Sequence, residues 1–358
     1  MNSLTTNEDR AVARWLLVCC ALVFAMVVLG GVTRLTGSGL SMIEWRPIMG
    51  TLPPLSADEW QEKYEIYQLT PEFRKVNPHF DVDDFKGIFW LEYLHRLLGR
   101  LIGLVFAIPL LYFTVRKYIP LAELPKFLLM LALGGLQAIV GKIMVASGQV
   151  DLPHVSQYRL TAHLVLAFAV FAFMFWVALS RLYPAATDER HPWFLRTQAL
   201  FALISVTIVS GGFVAGLKAG KIFNTFPLMG DSWVPPGIMA LTPGWRNLFD
   251  NAITAQFDHR LLAITTFAAV VAFWFRARTS DIVGRARSAL NALLHTAILQ
   301  VVLGISTLLL AVPAALGAAH QAVGMLLFGI ALYLLHAFRC AATSSRNAVS
   351  ANTHGREA

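Results

Sequence analysis

Residues 92–100 read EYLHRLLGR and continue directly into the apolar stretch LIGLVFAIPLLYFTV at 101–115. An apolar segment of this length can cross the hydrocarbon core of a membrane, which is about 30 Å thick, as a helix. A carboxylate, an imidazole and two guanidinium groups are costly in such a helix. Their presence at its start therefore indicates a functional site.

Composition extends this interpretation to the whole chain, which is 56% hydrophobic and 14% charged over 358 residues. Long apolar runs recur and leave little chain for a soluble domain. We predict an all-α integral membrane protein with eight transmembrane helices. The predicted spans are 13–33, 88–115, 126–146, 158–180, 193–215, 255–276, 287–312 and 315–338.

Basic residues predict the orientation of the chain. Lys and Arg are concentrated in the short connections after the second, fourth and sixth spans, whereas the connection between the seventh and eighth has none. By the positive-inside rule, both termini lie in the cytoplasm of a bacterium, and the chain is embedded in its inner membrane. The segments 34–87 and 216–254 then lie outside. The net charge of +8 is explained by the cytoplasmic loops, so we expect no nucleic-acid partner.

An internal repeat divides the chain. RPIMGTLPP (46–54) corresponds to FPLMGDSWVPP (226–236), and EYLHRLLGR corresponds to QFDHRLLAI (256–264). Each half has four spans, so the halves have the same orientation and predict two four-helix bundles related by a pseudo-twofold axis. We place the bundles at 1–190 and 191–342, followed by a disordered cytoplasmic tail at 343–358.

Four of the ten histidines correspond to each other between the two halves, and each lies near the predicted outer end of an even-numbered span: His95, His163, His259 and His320. Two histidines on facing helices of one bundle can bind a heme iron from both sides. Small residues follow each of them by four positions and leave room for a macrocycle: Gly99, Ala167, Ala263 and Gly324. The alternative is a set of buried, hydrogen-bonded histidines without iron. Zinc fits less well, because no thiolates or carboxylates complete a compact site.

Arginine follows two of these histidines. Arg96 and Arg260 lie near the outer surface, where either can pair with an anionic heme propionate. The alternative for both is an interaction with lipid headgroups.

The two halves differ at one chemically important position. Glu92 precedes His95 by three residues, whereas Gln256, which cannot ionise, precedes His259. The first half also has the longer outer loop, rich in aromatic residues. We infer that the second bundle holds a permanent cofactor and that the first handles a substrate. A structural Glu92–Arg96 ion pair is the competing interpretation.

Four motifs resemble those of the heme A synthase family: GGVTRLTGSGLSM (30–42), EWRPIMGTLPP (44–54), FWLEYLHRLLGR (89–100) and AGLKAGKIFNTFPLMG (215–230). The resemblance covers the chain from about Arg14 to Phe338 and is strongest to the alphaproteobacterial and mitochondrial branch. Another branch has a cysteine pair in the first outer loop, which this sequence lacks.

The resemblance implies an oxidoreductase that acts on a CH group, the C8 methyl of heme O, and oxidises it to the formyl group of heme A for terminal oxidase assembly. It implies that His259 and His320 bind a heme b cofactor, that His95 and His163 bind the substrate heme, and that Glu92 is catalytic. It also implies heme O synthase and a quinol or ferredoxin-type electron donor as partners. Whether the protein forms a homo-oligomer stays open.

Two other functions fit the histidines. A di-heme b-type carrier that oxidises quinol would use all four, but it gives no reason for Glu92 to differ from Gln256. A heme transporter or chaperone also fits two parallel bundles. Only the synthase would produce a formyl-bearing heme.

Overall fold

The computed structural model describes residues 5–44, 52–148, 154–185 and 190–339. Eight of its helices are long and apolar enough to cross a membrane, with lengths of 23 to 34 residues, which confirms the predicted all-α membrane fold. These helices are α1 (Asn7–Leu35), α4 (Val82–Val115), α5 (Leu124–Ala146), α6 (Gln157–Leu182), α7 (Phe194–Gly216), α9 (Ala252–Ala277), α10 (Gly284–Leu309) and α11 (Ala314–Ala337). Three short α-helices lie in the described connections: α2 (Ala57–Gln68), α3 (Pro71–Lys75) and α8 (Asn247–Asp250).

Polar caps extend two of the spans beyond their apolar stretches. Helix α1 begins at Asn7 because the side chain of Thr6 accepts a hydrogen bond from the Asp9 backbone N–H. Helix α4 begins at Val82 rather than at the predicted residue 88, because Asp81 and Asp84 form a reciprocal capping box. The first turns of α4 therefore stand outside the apolar segment and connect the outer loop rigidly to the helix that bears Glu92.

The helices of the two halves make matching contacts. Helix α1 packs against α4, α6 and α11, while α7 packs against α9, α11 and α6. The seam between the halves is apolar, and the ring of Phe328 on α11 lies 5.0 Å from Phe168 of α6 and 4.8 Å from Phe201 of α7. The pseudo-twofold axis and the division at residues 190 and 191 stay predictions. The tail at 343–358 lies outside the described residues.

The described part of segment 34–87, which was predicted to be an outer loop, contains the two helices α2 and α3. Both pack on the outer end of α4 through an aromatic cluster. Tyr67 stacks on Phe85 with ring centroids 5.0 Å apart, and the hydroxyl of Tyr64 donates a 2.6 Å hydrogen bond to the Phe80 carbonyl. The loop aromatics noted in the sequence thus form a folded cap above the first bundle.

The seam between the halves depends on a glycine that lets two backbones approach closely. A Cβ atom at Gly216 would stand 2.5 Å from the Cα of Gln157, a backbone atom that cannot rotate away. We expect Gly216→Ala to lower the free energy of unfolding by about 1–3 kcal/mol, the usual cost of overpacking. Denaturation of the purified protein in detergent measures this.

Gly134→Ala is the matched control, because nothing lies within 4 Å of a Cβ atom placed there. It should be neutral or slightly stabilising, since alanine favours the helix. Equal losses in both variants would refute a specific α6–α7 contact.

Candidate functional site

The four predicted histidines share one local environment. Each is half-buried, and each points its Cε1 edge at a glycine on a neighbouring transmembrane helix. The pairs are His95 with Gly30, His163 with Gly141, His259 with Gly211 and His320 with Gly304. A Cβ atom at these glycines would lie 2.9, 3.0, 3.1 and 2.9 Å from Cε1, respectively. Each imidazole ring therefore occupies space that a side chain at the glycine would fill.

These four glycines were not predicted, although the internal repeat relates them in pairs. Gly30 of α1 matches Gly211 of α7 in the aligned GG pairs 30–31 and 211–212, and Gly141 of α5 matches Gly304 of α10 at the offset of 163 residues that also relates Gln137 to Gln300. Two of the predicted small residues four positions after a histidine, Gly99 and Gly324, do not form these ring contacts. A Cβ atom at Gly324 would instead meet the Gln300 side chain at 3.2 Å.

The structure brings the histidines together in the two predicted pairs. His95 lies close enough to His163 for their charges to interact, and His259 lies equally within range of His320. The four rings come from four different helices. Among the described residues there is no group of three or more His, Cys, Asp and Glu side chains that could enclose a metal ion. Two facing histidines without further ligands fit a macrocycle that supplies the remaining coordination.

The ring nitrogens also fit a heme iron. The Nδ1 atoms of His95, His163 and His320 are buried without a hydrogen-bond partner among the described residues, so Nε2 is the candidate iron ligand of each ring. In His259, Nδ1 lies 2.8 Å from the Ser210 hydroxyl, so Nε2 is again the candidate ligand. Nε2 of His320 lies 3.3 Å from the Gln300 amide nitrogen, which a bound iron would displace.

Glu92 is engaged by three donors. It is only 3% exposed. Its Oε2 accepts hydrogen bonds from the Ser41 hydroxyl at 2.7 Å and the Met42 backbone N–H at 2.8 Å, and its Oε1 accepts one from Arg96 at 2.6 Å. Arg96 also donates to the carbonyls of Met42 and Glu44. The ion pair that competes with a catalytic role is therefore present, and the catalytic role stays a prediction.

The second half repeats this arrangement without the charge. Gln256 is also 3% exposed, and its amide donates to the Phe223 carbonyl at 3.0 Å. Arg260 donates to the carbonyls of Phe223, Thr225 and Leu228 in the outer loop of its own half. Both arginines thus fasten an outer loop to the helix that carries a histidine. Their contacts with heme propionates stay predictions.

The motifs and the geometry agree with a comparison to known families. The family model COX15-CtaA, described as a cytochrome oxidase assembly protein, matches residues 13–332. The chain belongs to this family. The resemblance predicted from the motifs is therefore confirmed.

Several relatives of this COX15-CtaA chain are named heme A synthase. One from Nitrosospira multiformis is 52% identical over 335 residues, which cover 92% of this chain and 94% of that protein. Heme A synthase COX15 from Arabidopsis thaliana is 43% identical, covering 93% of this chain and 76% of that protein. The protein of that name from Bos taurus is 41% identical, covering 92% and 83%.

The buried ion pair leads to a prediction about stability. Arg96→Met should lower the free energy of unfolding by about 3–5 kcal/mol, because it leaves the Glu92 carboxylate buried without its cation. The same replacement should cost less in a Glu92→Gln background, where no charge is left behind. Unfolding of the four proteins in detergent gives this double-mutant cycle. Equal costs in both backgrounds would show that the pair contributes nothing beyond the loop hydrogen bonds.

Proposed function

We propose that this chain is a heme A synthase, an oxidoreductase that converts the C8 methyl group of heme O into the formyl group of heme A for terminal oxidase assembly. One observation carries the proposal. Two histidine pairs have the same glycine-lined surroundings, but only the first lies beside a buried carboxylate, Glu92. Membership of the COX15-CtaA family supports the same function.

We assign the resident heme b to His259 and His320 and the substrate heme to His95 and His163. The bond between Ser210 and His259 supports this, because a hydrogen bond to the second ring nitrogen holds a metal-bound histidine in one orientation. The residue before Gly30, where the repeat would place a serine, is Leu29. His259 and His320 would hold this heme b, which would supply one-electron transfer.

Glu92 is our candidate for the catalytic group. Its carboxylate can accept a proton from the substrate, or it can stabilise positive charge that develops on the oxidised methyl carbon. Arg96 and Arg260 are candidates for contacts with the propionates of the two hemes. A guanidinium has five N–H groups, and the Nε of Arg260 has no partner among the described residues, so it keeps a donor for such a contact.

We further propose that heme O synthase supplies the substrate and that a quinol or a ferredoxin-type protein supplies electrons. The basic connections after α4, α6 and α9 support a bacterial inner-membrane location with both termini in the cytoplasm. The histidine pairs then lie in the outer half of the membrane.

Extraction of the hemes tests this function against a di-heme carrier and a heme transporter. Co-expression of the wild-type chain with a heme O supply should give a heme that bears a formyl group. Glu92→Gln, which imitates Gln256, should lower the yield of heme A by about a hundredfold or more, the usual scale for loss of an acid–base group. Heme O or its hydroxylated form should accumulate, while membrane content and heme b stay near wild type.

The outcomes separate the alternatives. Recovery of heme O alone from cells with the wild-type chain would favour the carrier or the transporter. A near-normal yield from Glu92→Gln would leave only the structural role of the Glu92–Arg96 pair.

A further inference from the structure

A cavity lies in the seam between the two halves of the chain. It has a volume of about 510 Å³, a size typical of sites that bind small molecules. Its walls come from four helices, α1 and α6 of the first half and α10 and α11 of the second. Most of the lining side chains are phenylalanine, methionine, leucine, isoleucine or alanine. The cavity is therefore suited to a hydrocarbon chain.

The cavity opens to the side of the helices, where lipid lies in a membrane. Leu326 of α11 lines it and is 48% exposed, and Ser288 of α10 lines it and is also exposed. Phe171 of α6 and Met325 of α11 are buried parts of the same wall. A hydrocarbon chain from the bilayer can therefore reach the apolar wall without passing through the protein.

The cavity has a cationic end near the first turn of α10. Arg285 lines this end, and its guanidinium lies over the rings of Tyr183 and Tyr333, 4.2 and 5.5 Å from their centroids. Its two Nη atoms lie 3.3 and 3.4 Å from Nδ1 of His336. None of the ion pairs among the described residues involves Arg285. With five N–H groups and one neutral acceptor, Arg285 keeps donors for an anion.

His336 brings no negative charge to this end of the cavity. Because arginine only donates hydrogen bonds, Nδ1 of His336 is the acceptor for Arg285. The proton of the ring is then on Nε2, which lies 3.3 Å from the Ser180 hydroxyl of α6. Arg339 also donates a 3.0 Å hydrogen bond to Ser180, and it adds a second positive charge to the same region.

The cationic end is separate from the two histidine pairs and has no counterpart in the first half. His336 follows His320 by sixteen residues, which is about 24 Å along a helix. At the offset of 163 residues that relates α5 to α10, Arg285 corresponds to Ala122. At the offset of 157 residues that relates His163 to His320, His336 corresponds to Leu179. The repeat therefore does not explain this cluster.

We propose that the cavity binds an anionic phospholipid, with one acyl chain along the apolar wall and the phosphate on Arg285. A phospholipid joins a hydrocarbon chain to an anion, as the cavity joins an apolar wall to a guanidinium. A free phosphate would leave the apolar wall unused, and a neutral quinol would bring no charge to Arg285. In the orientation proposed above, Arg285 lies at the cytoplasmic side, where basic pockets between membrane helices bind anionic headgroups.

A lipid in this cavity joins the two halves of the chain. Its acyl chain contacts Phe24 and Phe171 of the first half and Met325 and Gly329 of the second, because all four line the same cavity. Since the lipid binds only when these helices are packed together, it raises the stability of the folded chain. This inference does not rest on the proposed heme A synthase activity.

Lipid retention tests the site without heme chemistry. The full-length protein would be purified in detergent micelles that contain equal amounts of phosphatidylglycerol and phosphatidylcholine, and native mass spectrometry would measure the lipid bound per chain. The wild type should retain phosphatidylglycerol in preference to phosphatidylcholine. Arg285→Met should weaken this retention by about tenfold or more, since it removes charge-assisted hydrogen bonds to the phosphate. Arg276→Met, which removes an exposed arginine outside the cavity, is the matched control and should retain the lipid.

Two further variants separate the acyl chain from the charge. Ala292→Phe fills the apolar wall and leaves Arg285 intact, so it should also lose the lipid. Arg285→Lys keeps the charge and should retain more lipid than Arg285→Met. Thermal unfolding then shows that each variant is folded. Phosphatidylglycerol should raise the Tm of the wild type and of the control, but not that of Arg285→Met or Ala292→Phe.

Three results would overturn the lipid site. One is retention of phosphatidylglycerol by Arg285→Met equal to that of the wild type. Another is complete displacement of the lipid by inorganic phosphate at the same concentration, which would assign Arg285 to a free anion. The third is retention of a ubiquinone in place of the lipid, unaffected by Arg285→Met, which would assign the cavity to the electron donor. Failure to form heme A would overturn the proposed function and leave the lipid site standing.

Discussion

A buried carboxylate in a membrane helix needs a cation, and the Glu92–Arg96 ion pair meets that need with a distance of 2.6 Å. Arg96 follows His95 directly, so the same turn of α4 holds a histidine and binds the outer loop through the carbonyls of Met42 and Glu44. The loop, the ion pair and the histidine cannot move independently. The position of the site in the first half depends on this link.

The second half keeps the scaffold and changes the chemistry. Arg260 binds its own loop as Arg96 does, but Gln256 replaces the carboxylate. Ser210 adds a hydrogen bond to His259 where the first half has Leu29 before its glycine. The site of the second half therefore has a histidine ring held by Ser210, whereas the site of the first half has a buried carboxylate and the folded cap of α2 and α3. In the proposed function, these differences separate a permanent heme from one that enters and leaves.

Much of this could be predicted from the sequence because membrane helices obey strong constraints. The eight spans follow from apolar length, and the four histidines and the Glu92–Gln256 difference follow from the repeat. Helices α2 and α3 could not be found in this way, since they are short, polar and without a counterpart in the second half. Arg96 and Arg260 contact the loops through backbone carbonyls, and because every residue has a carbonyl, no sequence pattern predicts these contacts.

The central claim is that two similar heme sites have unequal roles, and heme exchange tests it most directly. The purified protein, loaded with two hemes, would be incubated with excess heme O that carries an iron isotope, and the labelled heme retained per chain would be measured by mass spectrometry. We expect one of the two hemes to exchange, with exchange lost in His95→Ala and the other heme lost in His259→Ala. Equal exchange at both sites, or exchange that survives in His95→Ala and disappears in His259→Ala, would contradict the assignment.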